Sequence, residues 1–310
     1  MSETLNTLWG ISVPQHFIQG PVDRSLITEF AGRAEDLGYD SLWVQERVVS
    51  DFPVLEPVSL LCYLAGVTSK VRLGSSVLIS PLRNPMNLAR VLATADQLSG
   101  GRLIVGVGLG NAGRDYPALG VPVERRVSRF IEGIELMKAV WVQPSVTHKG
   151  DFWQLNNFQM EPKPAQKPHP PIWFGAHLPA ALKRAVRYGN GWMGAGNSST
   201  ADFKDQAPKV RAYLNEAGRD PATFTISKRV YIAVARDGSL AKRHLENFFG
   251  AVYGNPERGP KLGVWGTVDQ CVEGLREVLL MEPDLVLLTP VFDHIAQMEI
   301  LAHEVIPKLR

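Results

Sequence analysis

The sequence predicts an α/β fold, a (β/α)8 TIM-type barrel with an insertion between the fourth strand–helix pair and the fifth strand. Short apolar runs alternate with helical patterns along the whole chain, and eight such pairs can be counted. The runs are apolar on both faces, as in Leu103-Ile-Val-Gly-Val107, which is how a parallel strand reads when helices cover it or when it lines a barrel. Eight pairs specify a closed barrel better than an open sheet, and 310 residues suit one such domain spanning 1–310.

Leu8 to Val13 reads as the first strand, and Pro14-Gln15-His16 as the loop leaving it. Leu26, Ile27, Phe30, Ala31, Ala34 and Leu37 share a helix face that Gly38 ends. Asp40-Ser41 introduces the second strand, Leu42-Trp43-Val44, which runs out into Gln45-Glu46-Arg47. Pro57 opens a helix ending near Gly66, and Arg72 to Ile79 is the third strand. Asn84-Pro85 starts the next helix, with Asn as N-cap and Pro in the first turn; Gly100-Gly101 close it. Leu103 to Val107 is the fourth strand, and Val127 to Trp141 mark a long amphipathic helix.

Residues 143–171 interrupt the alternation. Phe152, Leu155 and Phe158 alternate there and five prolines follow, so the segment reads as a hairpin-like excursion with an extended return. Ile172-Trp173-Phe174 is strand five, with a helix from Pro179 to Gly189. Gly191-Trp192-Met193 is strand six, followed by a helix from about Phe203 to Ala217. Phe224 to Ala235 is strand seven, followed by helical residues from Leu240 to Val252. Residues 254–266 are rich in Gly and Pro and read as a mobile loop. Thr267-x-x-Gln270 is a capping box for the next helix, Leu285 to Leu288 is strand eight, and Ile295 to Leu309 is the closing helix.

Composition excludes several classes. A net charge of +2, without a basic tract interleaved with aromatics, gives no pull toward nucleic acid or anionic membrane. Met1 to Trp9 lacks the basic-then-apolar pattern of a secretory signal, and no apolar run approaches the ~20 residues of a membrane span. Cys62 and Cys271 lie far apart in helical patterns and read as reduced core residues of a cytoplasmic protein. The seven histidines form no ligand-spaced cluster, so no metal is expected.

A barrel of this kind carries its active site at the carboxyl ends of the strands. That rule selects Gln15, His16, Glu46, Arg47, Ser76 to Ser80, Asn111, Arg114, Asp115, Gly175 to His177, Ala195 to Asn197 and Arg236. No nucleophile-elbow sequence supports a hydrolytic triad. Glu46 and Asp115 would be the carboxylates of a glycosidase-type site, but they lie on different loops, each beside an arginine. The mouth fits better a cofactor that carries the chemistry. Gly175-Ala-His-Leu-Pro179 and Gly194-Ala-Gly-Asn197 suit phosphate through exposed backbone N–H groups and the helix N-terminus at Pro179; tight barrel loops without a ligand are the alternative. Gly108-x-Gly110-x-x-Gly113 formally matches a dinucleotide fingerprint. Strand-like runs precede it, however, and a helical pattern occupies the place of the acid-bearing strand. Those glycines serve either close approach to a flat or phosphorylated ligand or tight packing alone.

Several stretches together resemble one family. They are Leu73-Gly-Ser-Ser-Val-Leu-Ile-Ser-Pro-Leu-Arg-Asn-Pro85, Asp96-Gln-Leu-Ser-Gly-Gly-Arg102 and Gly106-Val-Gly-Leu-Gly110. Pro162-Lys-Pro164 before Pro171-Ile-Trp-Phe-Gly175, then Gly189-Asn-Gly-Trp192 and Val305-Ile-Pro307, extend the match. The chain resembles the luciferase-like superfamily of flavin- and deazaflavin-dependent oxidoreductases. The resemblance implies a TIM-type barrel, a coenzyme across the strand ends, a small-molecule substrate and a homodimer. It also implies a non-prolyl cis peptide, by position Ser76–Val77, bulging behind the coenzyme ring.

Two departures stand out. Glu46-Arg47 replaces the acid-then-His of many members, so the histidine tied to proton handling is missing; Arg47 can hold a developing anion instead. Asn111 stands where some deazaflavin sugar-phosphate dehydrogenases carry Glu, which disfavours that activity. The expected catalytic residues are His16, Glu46, Arg47 and His177. The expected coenzyme contacts are Ser76, Val77, Asn111, Arg114, Gly175, Ala176, His177, Ala195, Gly196 and Asn197. The deazaflavin coenzyme F-420 with hydride transfer is the favoured reading. An FMN-dependent monooxygenase and a non-catalytic coenzyme-binding barrel are the alternatives.

Overall fold

In a computed structural model, residues 7–310 are described, so the first six residues of the amino-terminal stretch lie outside the described part. The strands are β1 (Leu8–Ser12), β2 (Ser41–Val44), β3 (Arg72–Ser75), β4 (Leu103–Val107), β5 (Val146–Lys149), β6 (Gln154–Phe158), β7 (Ile172–Ala176), β8 (Gly191–Gly194), β9 (Thr225–Val234), β10 (Val264–Gly266) and β11 (Leu285–Pro290). The helices are α1 (Arg24–Asp36), α2 (Pro57–Val67), α3 (Pro85–Leu98), α4 (Asp115–Ala118), α5 (Arg126–Val142), α6 (Pro179–Tyr188), α7 (Thr200–Glu216), α8 (Gly238–Tyr253), α9 (Arg258–Leu262), α10 (Val268–Leu279) and α11 (His294–Ile300). Strands β1, β2, β3, β4, β7, β8, β9 and β11 form the closed parallel barrel, with β11 returning to β1.

Strand residues alternate between two environments. Outward-facing Ile11, Leu42, Val44, Leu73, Val105, Phe174, Val230 and Leu288 join the helix faces in the main core. Inward-facing Trp43, Ile104, Trp173, Met193, Leu285 and Leu287 fill the amino end of the barrel, with the Trp43 and Trp173 rings 5.3 Å apart. The plug depends on missing side chains opposite it: a Cβ on Gly74 would lie 2.4 Å from the Trp43 ring.

The third strand stops at Ser75, short of the expected Ile79. The Ser76–Val77 peptide is cis. Beyond it Leu78 rejoins β4, its N–H donating to Gly106 O at 2.8 Å, and residues 80–82 form a single 3-10 turn. The glycines of the Gly108-x-Gly110 run receive this bulge. A Cβ on Gly108 would sit 2.7 Å from Val77 Cγ2, and one on Gly110 2.5 Å from Ile79 Cγ2. The close approach these glycines permit includes tight packing against Val77 and Ile79.

Within 143–171, β5 and β6 pair antiparallel, as expected of a hairpin. Glu132 of α5 accepts from the N–H groups of Asp151, Phe152 and Trp153 and so holds the hairpin turn. The extended return is tied down by buried Asp96, which accepts from Gln166 N at 2.9 Å and Gln166 Nε2 at 2.7 Å.

The segment at 254–266, expected to be a mobile loop, contains α9 and β10 instead. Its glycines permit close approach: a Cβ on Gly259 would lie 2.8 Å from Leu245 O, and one on Gly263 3.0 Å from Tyr231 O. Strand β9 explains where β10 goes. Its lower half pairs with β8, which ends at Gly194 opposite Lys228; above that point β10 takes the vacated edge, pairing with Ile232 to Val234. The closing helix widens into a π turn at Leu301–Val305 and tightens to 3-10 at Ile306–Lys308. Pro307 lacks an N–H and its ring crowds the carbonyl of His303, which accounts for the change of pitch.

Candidate active site

Above the tryptophan plug, β1, β9, β11 and the residue after β2 carry a layer of hydrogen-bonded polar side chains. Ser12 Oγ and Thr289 Oγ1 share a 2.8 Å hydrogen bond, and Gln45 Nε2 donates to Ser12 Oγ at 3.0 Å. Arg229 spans this layer. Its Nε donates to Thr289 Oγ1 at 3.1 Å, one terminal nitrogen to Tyr231 OH at 2.9 Å, and the other to Ser76 O at 3.3 Å. Tyr231 in turn shares a hydrogen bond with Tyr253 at the end of α8. Burial holds Tyr231 well above an ordinary phenol, so it stays neutral. Arg229 is 9% exposed and, among the described residues, forms no ion pair. A guanidinium is a permanent cation, and burying one without a carboxylate is costly. Such a group under an open mouth suits an anionic ligand.

Glu46 is not a free carboxylate. Its side chain is 7% exposed, one oxygen accepts from Ile79 N, and the other pairs with Arg83. It therefore anchors the far side of the bulge. Arg47 is half-buried, with its guanidinium 5.2 Å over the Phe52 ring and its Nε buried without a partner. His16 packs edge-on against Phe52 and Phe248, at 6.1 and 6.3 Å between ring centroids. Burial, then the charges of Arg229 and Arg47, push its imidazole down to about 3. His16 is thus neutral at neutral pH and does not arrive as a proton donor. His177 is exposed on the rim.

On the opposite side lie the loops after β7 and β8. Ala176 O accepts from Trp192 Nε1 at 2.8 Å, and α6 begins at Pro179 without a side-chain cap. The start of α7 is already capped, because Ser199 and Asp202 form a reciprocal capping box there. Gly196 is buried, and its Cβ would lie 2.9 Å from the Tyr231 ring; Asn197 is exposed. Lys228 supports the loop from behind, its amine donating to Ala195 O at 2.7 Å and Ser198 O at 2.6 Å. Burial pushes that amine down to about 7.

Asn111 folds back on its own loop, its Oδ1 accepting from Gly113 N at 3.0 Å and Arg114 N at 3.3 Å. Asp115 is likewise engaged, by Asn111 N at 2.9 Å and Arg114 Nε at 2.8 Å. The structure thus brings His16 and Arg47 together with Arg229, and places Ser76 and Val77 at the bulge beside them. His177, Asn111, Arg114 and Asn197 ring the rim.

Arg229, Tyr231, Tyr253 and Thr289 were not selected by the strand-end rule, which named Arg236 on strand seven. Arg236 is exposed beyond the barrel, because β9 continues past the end of its neighbour β8 and the mouth falls at its middle. Alternation in Ser227-Lys-Arg-Val-Tyr231, a charged pair inside an apolar strand, was the available signal.

Residues 9–280 match the luciferase-like monooxygenase family. The chain belongs to that family. It is 32% identical over 230 residues to an F420-dependent glucose-6-phosphate dehydrogenase of Kineococcus radiotolerans, covering 71% of this chain and 66% of that one. It is 34% identical over 160 residues to an FMNH(2)-dependent dimethylsulfone monooxygenase of Pseudomonas putida, covering 51% and 44%. The matches therefore span between under half and about two thirds of those relatives' lengths. An F420-dependent secondary alcohol dehydrogenase in complex with an F420-acetone adduct superposes over 98% of this luciferase-like chain and 99% of its own, with a TM-score of 0.86 at 22% identity, and so shares its fold.

The donor set of this luciferase-like barrel fits a phosphate-bearing, anionic ring coenzyme. Arg229 and Arg47 face the mouth without ion-pair partners among the described residues, and the nearby carboxylates of Glu46 and Asp115 are engaged. No described group of three or more His, Cys, Asp or Glu side chains could hold a metal ion, and no described helix is long and apolar enough to cross a membrane.

Proposed function

We propose that this luciferase-like oxidoreductase binds the deazaflavin coenzyme F-420 across the carboxyl ends of its strands and passes hydride between it and a small organic substrate. Buried Arg229, without an ion pair among the described residues and bonded to Ser76 O under the bulge, is the observation that carries the coenzyme site. Preference for the deazaflavin rests on the Ser76-Val-Leu-Ile-Ser-Pro81 run and on the longer match to F420-dependent dehydrogenases. The coenzyme supplies the hydride chemistry when bound. Arg229 holds negative charge on the ring, while Ser76 and Val77 present backbone and a methyl face to it. Gly175, Ala176 and the start of α6 hold phosphate, with Ala195, Gly196 and Asn197 closing that side; His177, Asn111 and Arg114 complete the rim. Arg47 holds the substrate oxygen as charge develops there, and neutral His16 orients it as a hydrogen-bond partner. Glu46 acts through the bulge it anchors.

An FMN-dependent monooxygenase is the second reading, favoured by the 34% identity to the dimethylsulfone enzyme. Titrating the apoprotein with each coenzyme and following ligand fluorescence decides between them. Saturable binding of the deazaflavin alone is expected; preferential FMN binding replaces the proposal with the second reading. Oxygen consumption dependent on reduced FMN and a substrate would do the same. We also propose a cytoplasmic homodimer, which sedimentation at twice the chain mass tests.

A further inference from the structure

Strand β9 carries Lys228 beside Arg229, and neighbouring strand residues point to opposite faces. Lys228 is 2% exposed, and its amine reaches three oxygens of one turn after β8. It donates to Ala195 O at 2.7 Å, Ser198 O at 2.6 Å and Ser198 Oγ at 3.0 Å. The Ser198 hydroxyl commits its one proton to Ala195 O at 2.7 Å, so it offers the amine only lone pairs, as the two carbonyls do. Three acceptors therefore face one amine. An ammonium has three donors and satisfies them all. A neutral amine has two, and its lone pair would face an oxygen.

These bonds orient the turn. Ser198 N closes it by donating to Ala195 O at 3.1 Å. The Ala195–Gly196 peptide is trans and planar, so with Ala195 O turned back to the amine the Gly196 N–H points the opposite way. Neither that N–H nor the one of Asn197 has a partner among the described residues. Gly196 is buried, and a Cβ on it would lie 2.9 Å from the Tyr231 ring and 3.3 Å from Arg229 Nε, so the turn stands against the guanidinium of the mouth. A buried backbone N–H without a partner is costly, and beside a cation it calls for an anion.

We infer that Lys228 is a positioning residue for an anionic ligand group: its ammonium turns the Ala195 and Ser198 carbonyls inward and so presents the Gly196 and Asn197 N–H groups, with Arg229, to a phosphate oxyanion at the mouth. The inference rests on the reading of this side of the mouth as the coenzyme's phosphate side. Burial pushes the amine down to about 7; Asp202 of α7 opposes that fall and Arg229 adds to it, while the Phe203 ring of α7 lies 6.0 Å away. Above that value Lys228 loses its charge and leaves one of the three acceptors without a donor. Oxyanion affinity is therefore highest below pH 7 and falls above it, and by linkage a bound oxyanion holds the proton on Lys228.

Sulfate is the probe, because its own charge is constant from pH 6 to 8.5. The protein without coenzyme is titrated with sodium sulfate while the amide resonances of Gly196 and Asn197 are followed. Sulfate should shift both, and its apparent Kd should rise about fivefold or more between pH 6 and 8.5. Lys228→Arg, which stays cationic, should restore binding that is the same at both pH values, whereas Lys228→Met should bind weakly at both. Unshifted amides, or a sulfate affinity that does not change with pH in the unaltered protein, overturn the inference, and neither result needs a variant to fold. A pH dependence retained in a folded Lys228→Arg protein overturns it as well. Titration with the coenzyme on the same preparation reads the other proposal separately: absence of coenzyme binding with the sulfate response intact removes the redox reading and leaves the anion-binding turn standing.

Discussion

At the amino end of the barrel, Trp43, Ile104, Trp173, Met193, Leu285 and Leu287 fill the interior; nearer the carboxyl end, Ser12, Gln45, Arg229, Tyr231 and Thr289 form one hydrogen-bonded polar layer. The lower layer removes large apolar surfaces from water and makes few polar contacts. The upper layer pairs its polar groups with one another and leaves Arg229 without a counter-charge among the described residues. Burial of apolar area favours folding, whereas a buried, unpaired guanidinium opposes it. The difference separates what holds the barrel closed from what it can bind, although on β11 the layers are adjacent, at Leu287 and Thr289.

The comparison breaks most readily at the plug. Trp43 is fully buried, and replacing it by Ala leaves a cavity between Gly10, Gly74 and Trp173. Trp43→Ala should cost about 3–5 kcal/mol in urea unfolding, while the folded protein keeps its coenzyme affinity. If affinity falls along with stability, the two layers are not separable. Arg229→Met is the converse. Its cost in stability should be limited to about 1–2 kcal/mol, the price of hydrogen bonds left unmade at Thr289 Oγ1, Ser76 O and Tyr231 OH. Coenzyme affinity should fall about tenfold to a hundredfold. Unchanged affinity would remove Arg229 from the site, and a loss of stability as large as that of Trp43→Ala would make it part of the plug.

The same division explains which parts could be read from sequence. The barrel was legible because each strand and helix leaves a local pattern. The family's specific stretches were legible too, yet in the structure several serve the scaffold. Asp96 ties down the excursion, and Arg102 donates to the carbonyls of Ala65, Thr68, Val71 and Ser99, joining the ends of α2 and α3. Glu46 looked catalytic by position, but its role is set by Arg83 and Ile79 N, partners more than thirty residues away in the chain. Arg229 left a signal in the charged pair of β9 but no position relative to the mouth, because the height of the mouth on β9 depends on where β8 stops. Glycine content misled at 254–266, because glycine marks close backbone approach as often as freedom.

The smallest effect concerns pH, and it tests whether the mouth opposes folding through its histidines as well as through Arg229. His16 and His294 have folded-state values near 3 and 4, below the ordinary value of 6.5. Between those limits the unfolded chain binds protons that the folded one does not, so stability falls as pH drops below about 6.5 and is fully present above it. Both rings are partly accessible, so solvent screens the penalty; the melting temperature should fall by only a few degrees between pH 7.5 and 5.5. His294→Gln should flatten that slope, because its Nδ1 is buried without a partner and its neutral form needs no counter-charge. An unchanged slope in His294→Gln together with His16→Gln would trace the acid sensitivity to carboxylates elsewhere, and Arg229 would then be the charge at the mouth that folding tolerates for the sake of a ligand.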